Sequence, residues 1–164
     1  MAEYVFKETQ KFNRIWIGAV LLLVTGITLW SLFFASPPKT AEGWEKIVPI
    51  GIVLLVIALM FSVTLKTRID GNSLSFNYFP FIQTRKYHFH DIESLELIEY
   101  NGLLTYGGWG IKRNLDSWSY TTGGKYGIMV KTNKKKFLLG TQMPLEVQKA
   151  IDQFNEFKVQ SHGS

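Results

Sequence analysis

The sequence predicts a membrane α-helical hairpin followed by an α+β domain, in which about seven antiparallel strands precede one C-terminal helix. Three observations predict it. Two long runs without charge, Ile15–Ala35 and Ile47–Leu65, lie close together near the N-terminus. From Val63 the apolar residues change from a helical to an alternating period, and after Pro144 they return to a helical one.

Residues 1–14 carry Lys7, Lys11 and Arg14 against Glu3 and Glu8 and read as a cytoplasmic N-terminal segment. The run 15–35, IWIGAVLLLVTGITLWSLFFA, is about 21 residues long, enough at 1.5 Å per residue to cover a hydrocarbon core of roughly 30 Å. A cleaved leader has an apolar region of only about 7–15 residues, and here Phe33 and Phe34 stand near the end. A buried soluble hairpin would show one polar face, and neither run has one. Residues 36–46 form a short external link in which Pro37 and Pro38 stop the first helix and Trp44 and Lys46 suit an interface. The second run, 47–65, is about 19 residues, with Pro49 placed in its first turn. Lys and Arg gather outside the link, so both termini are expected in the cytoplasm of a multi-pass protein of the inner membrane.

Residues 66–158 then read as a cytoplasmic domain, and 159–164 as a flexible tail. Residues 64–69 and 73–78 alternate around Asp70-Gly71-Asn72, a hairpin turn. Residues 83–90 and 92–100 follow as strands after the Phe79-Pro80-Phe81 bend. A loop over 101–108 leads to a short strand at 109–113, a candidate edge strand at 117–122, and a hairpin of 126–132 with 135–140. From Leu145 to Phe157 the residues Val147, Ile151, Phe154 and Phe157 recur near helical spacing, so one face can cover the sheet.

The pieces TRIDGNSLSF, HFHDIESLELIEY, YGGWGIKR, the Gly-rich turn before YGIMV, and KKKFLLGTQMPLEVQKAI together resemble bacterial pleckstrin-homology-like domain proteins of the two-span membrane type. The resemblance covers roughly residues 47–157, and YGGWGIKR is its most specific piece. It implies a PH-like antiparallel β-barrel capped by the C-terminal helix, tethered at the cytoplasmic membrane surface as an interaction module. It implies no catalytic residues.

The chain has no cysteine, which excludes disulfides, iron–sulfur clusters and thiol catalysis. His88 and His90 alternate beside Asp91, but only His162 is left to add to them, and a closed zinc site needs four ligands. Gly107-Gly108-Trp109-Gly110 lacks the Lys-Ser/Thr ending of a phosphate loop. Asp91, Glu93, Glu96 and Glu99 are explained by a solvated strand face. No cofactor, metal or enzymatic activity is expected.

Two groups are candidates for binding. Tyr106, Trp109, Lys112, Arg113, Trp118 and Tyr120 combine the residue types that anchor protein interfaces, with core packing the alternative for Trp109. Lys125, Lys134, Lys135 and Lys136 offer a basic edge for anionic headgroups, or merely a solvated hairpin tip. Nine acidic against thirteen basic residues from residue 66 onward give a weak footprint for nucleic acid, which is not expected as a partner. The expected function is a non-catalytic, membrane-anchored scaffold that binds a protein or peptide partner or a second copy. Lipids would contact it through the two spans. Headgroup sensing is the second reading, and a membrane enzyme of unassigned reaction the third.

Overall fold

The computed structural model describes residues 5–11, 14–34 and 44–162, with the side chains of 14–17, 32, 33, 44–47 and 160–162 outside that description. The chain divides into two compact units, one of residues 12–63 and one of 1–11 with 64–164.

The first unit holds two helices, α1 (Arg14–Phe34) and α2 (Trp44–Ser62). Thr28 and Ser62 turn their hydroxyls back onto the carbonyls of Val24 and Ala58, at 2.9 and 2.7 Å, which hides those polar groups within their own helix. Trp30 and Phe34, one turn apart, stack with ring centres 4.5 Å apart. Pro49 lies inside α2 rather than in its first turn, because the helix starts at Trp44.

The expectation of two membrane spans is corrected: among the described residues no helix is long and apolar enough to cross a membrane. The apolar run read as continuing to Leu65 leaves the helix after Ser62, and Leu65 is fully buried in a strand. The uncharged part of α2 is therefore residues 47–62, about 24 Å against a hydrocarbon core of roughly 30 Å. The multi-pass inner-membrane localisation, the membrane-anchored scaffold and headgroup-sensing functions, and contact with lipids through two spans fall with the spans.

The second unit is built on two sheets. One has the order β1-β2-β3-β4, from β1 (Phe6–Lys11), β2 (Thr64–Asp70), β3 (Ser73–Phe79) and β4 (Ile82–His88), all antiparallel. Cross-strand partners share a face, so its inner side carries three rungs. They are Phe6–Ile69–Leu74–Tyr87, Glu8–Thr67–Phe76–Arg85, and Gln10–Leu65–Tyr78–Ile82. At the β2–β3 turn the Asp70 carboxylate accepts from the Asn72 and Ser73 amides at 3.2 and 2.8 Å, which fixes this two-residue turn.

The other sheet has the order β5-β8-β9-β7-β6, from β5 (Ile92–Glu99), β6 (Gly110–Arg113), β7 (Trp118–Thr121), β8 (Tyr126–Thr132) and β9 (Lys136–Thr141). Its strands are antiparallel except that β7 runs parallel to β9. Leu95–Val130–Phe137–Trp118–Arg113 and Leu97–Ile128–Leu139–Tyr120–Ile111 form its inner rungs. The two inner faces meet where Phe76 packs on Tyr120 and Phe137, with ring centres 4.9 and 5.5 Å apart. The outer face of this sheet is covered by a short helix, α3 (Gly102–Tyr106), so that Tyr100, Tyr106 and Leu138 form a second small core with Ile98 and Met129. Asn101 caps α3 at its start, and Gly107 ends it with φ +68°, a conformation that suits glycine. The last helix, α4 (Pro144–His162), buries Val147, Ala150, Ile151 and Phe154, and its Lys158 ammonium donates to the Ile92 carbonyl at 3.0 Å, tying it to β5.

Neither sheet closes, and the PH-like barrel is corrected on that ground. Residues Phe89–Asp91 form a single 3-10 turn between β4 and β5, and β5 pairs with β8 rather than with β4. Among the described residues nine strands in two separate sheets replace the expected barrel of about seven, and the resemblance to two-span PH-like proteins is not sustained.

Candidate functional site

The inner face of β6–β7 reaches past the point where the four-stranded sheet covers it. Tyr120 lies under Phe76 and is 5 % exposed, whereas Trp118, two residues back on the same face, is 39 % exposed and Ile111 is half-buried. The two rings on β7 stack nearly parallel at 6.5 Å, and the Arg113 guanidinium, their neighbour in the ladder, sits 5.6 Å above the Trp118 ring. A guanidinium in that position gains roughly 0.5–1 kcal/mol from the ring and stays aligned with it.

Beside this ledge runs β4, which turns Arg85 and Tyr87 inward along with Ile82. The positive charge of Arg85 acts on the Tyr120 hydroxyl. Burial raises that hydroxyl above its ordinary pKa, with the positive charge of Arg85 offsetting part of the rise, so Tyr120 stays a neutral phenol at physiological pH. Tyr87 packs against Phe137 at 5.1 Å and carries the Lys135 ammonium 5.3 Å above its ring. A depression of about 290 Å³ continues from there, lined by Lys86, Tyr87, Asp91, Thr132, Asn133, Lys134 and Lys135. The result is one row of aromatic and cationic groups: Arg113, Trp118, Tyr120, Arg85, Tyr87, Lys135.

This arrangement divides the two groups chosen from the sequence. Arg113, Trp118 and Tyr120 stand together on the inner face. Lys112 takes the opposite face of β6, because neighbours along a strand alternate. Tyr106 is buried under the sheet's outer face and shares a 2.8 Å hydrogen bond with the Ser117 hydroxyl. Trp109 lies in close contact with Gly102, where an added Cβ would come within 2.7 Å of its ring nitrogen. Its N–H donates to the Gly124 carbonyl at 3.4 Å, and it lines a separate depression of about 360 Å³ with Glu99, Tyr100, Asn101, Gly102, Gly124 and Lys125.

The lysines divide too. Lys125 precedes Tyr126 at the start of β8 and Lys134 follows Thr132 at its end, so the strand holds them about 20 Å apart. Lys135 joins the aromatic row, and Lys136 opens β9. Lys131, between them, is paired with Glu93 at 2.8 Å. Arg85 and Tyr87 belong to the row but were not singled out from the sequence. Their only signal there is the alternation of a cation and an aromatic on one face of a strand.

Among the described residues no three His, Cys, Asp or Glu side chains come close enough to hold a metal ion. His88 ends β4 and His90 sits in the following 3-10 turn, so the two do not share a strand face. The fold and row define a two-sheet α/β domain with an aromatic–cationic ledge at one edge. No family model matches the chain, and no curated protein is significantly similar to it.

Proposed function

We propose that this is a non-catalytic protein-interaction module, and that Trp118, Tyr120, Arg113, Arg85, Tyr87 and Lys135 receive a segment of a partner protein. The observation that carries the reading is the Arg113–Trp118 pair, backed by the buried Tyr120 ring and left open beyond the edge of the covering sheet. Trp and Tyr side chains give up little entropy on contact, and with Arg they are the usual centres of protein interfaces. The chemistry of the row supports binding rather than turnover. Its hydroxyl at Tyr120 is held protonated, its cations are Arg and Lys, and neither supplies a nucleophile with a neighbouring base.

The test is selection of a random ten-residue peptide library on the full-length chain, with the Trp118→Ala/Arg113→Ala double variant as the subtractive surface. A consensus enriched on the wild type and lost on the double variant is the expected result. An identical consensus on both proteins would remove the row from the function.

A further inference from the structure

The ledge borders an open strand edge, and that juxtaposition says what form the ligand takes; this inference rests on the interaction reading above. β4 has one strand neighbour, β3, and its residues Gln83, Thr84, Arg85 and Lys86 are all exposed. A seven-residue edge presents a row of backbone donors and acceptors over about 23 Å, ready to pair with another extended segment. On the inner face of the sheet that β4 packs against stand the exposed Trp118 and the half-buried Ile111. A strand laid along β4 therefore sets alternate side chains down onto an apolar floor.

The charges select the occupant. Arg85 on the inner face, Lys86 on the outer face, Arg113 at the far side of the ledge and Lys135 at its end surround the edge, with Asp91 the acid lining the adjoining depression. The outer face of the same sheet adds Lys7 in the rung of Lys86 and Lys66 in the next, while Arg68 is paired with Asp70 at 3.3 Å. A second copy of β4 would bring Arg85 and Lys86 against their own like charges, so pairing between two copies is disfavoured. An acidic strand meets the opposite field.

We propose that an acidic, extended segment of a partner protein adds as a fifth strand to the edge of β4, with its apolar side chains resting on Trp118 and Ile111 between the cations Arg85, Arg113 and Lys135. The backbone gives the affinity common to any strand, and the flanking cations give the preference for alternating acidic and apolar residues.

The probe is a fluorescent ten-residue peptide of alternating glutamate and valine, added to the full-length chain in low salt. Binding by anisotropy, with slowed hydrogen exchange at the amides of 83–87, is expected. Methylating the backbone nitrogens of every second residue should weaken binding at least about tenfold in one phase and leave the other phase nearly unchanged, because only one side of a strand faces its neighbour. Arg85→Glu should weaken binding by a similar factor, about tenfold or more, and a lysine–valine peptide should not bind.

Equal binding by both methylated phases, with Trp118→Ala still abolishing it, would overturn strand addition and leave the interaction row standing. Binding indifferent to Trp118→Ala and Arg113→Ala would overturn both. No binding of the glutamate–valine peptide, while the library yields a consensus of other chemistry, would overturn the acidic strand alone.

Discussion

At the scale of single residues, buried polar groups in this domain are mostly answered by designated partners. Glu8 is 6 % exposed, and its two carboxylate oxygens accept from the Thr141 hydroxyl at 2.7 Å and the Gln142 amide at 2.8 Å. The Thr67 and Ser119 hydroxyls are the exceptions among the described residues, being buried without a hydrogen-bond partner. Asp70 gives a prediction in pH. Burial works to raise its pKa, but the Ser73 hydroxyl, the Asn72 and Ser73 amides and the Arg68 charge outweigh it, so the folded value lies below the ordinary 3.8. A carboxylate with a depressed folded pKa adds stability above its unfolded value, and that contribution is lost as pH falls through the folded one. The melting-temperature difference between wild type and Asp70→Asn should therefore be constant above about pH 5 and shrink steadily below pH 3.8. A difference independent of pH would detach the turn from this carboxylate.

At the scale of elements, the strands that were legible are those whose inner face is apolar. β2 and β3 put Leu65, Ile69, Leu74, Phe76 and Tyr78 inward, so alternation and the turn between them located both. β1 was not legible. Its inner residues are Phe6, Glu8 and Gln10, and two of the three are polar, so the period-two signal disappears although all three are buried. What makes β1 a strand lies more than a hundred residues away. The Gln10 side chain donates to the Gly140 carbonyl at 2.6 Å and accepts from the Thr122 hydroxyl at 2.9 Å. Gln10→Ala leaves both of those groups unanswered in a buried place and should lower stability by about 2 kcal/mol. Hydrogen exchange should show the loss first in β1. Unchanged exchange there would mean that the ladder with β2 holds the strand alone.

The candidate site was half legible for a related reason. Arg113, Trp118 and Tyr120 lie close in the sequence and declare themselves by type, whereas Arg85 and Tyr87 come to them from the other sheet. Alternation tells which way a side chain points from its strand. It does not tell where a sheet ends, which is why two open sheets were expected as one closed barrel.

For the whole molecule, the informative fact is where the helical unit is inserted. The chain leaves the sheet after Lys11 and returns at Thr64, and these two residues are partners across the β1–β2 ladder. Residues 12–63 thus occupy the position of a hairpin turn. The two helices leave Leu22, Leu23, Trp30, Leu54, Leu55 and Phe61 among their exposed residues, an apolar surface that singly scattered side chains do not make. Replacing 12–63 by Asn-Gly, the turn pair suited to two facing strands, should preserve the sheets and give a monodisperse protein, while the full chain self-associates in dilute buffer. Sedimentation and circular dichroism distinguish the outcomes. An unfolded deletion variant would show that the sheet unit depends on the helices.

The same insertion sets an order of events for a chain being made. β1 is synthesised before the helices, yet its ladder partner emerges only after they are complete, and Gly140, Thr141 and Gln142 come 130 or more residues later. Closing so long a loop costs entropy that is recovered only when the distant contacts form. β1 is therefore secured long after it is made, and until then Phe6, Glu8 and Gln10 are exposed to whatever else the cell presents.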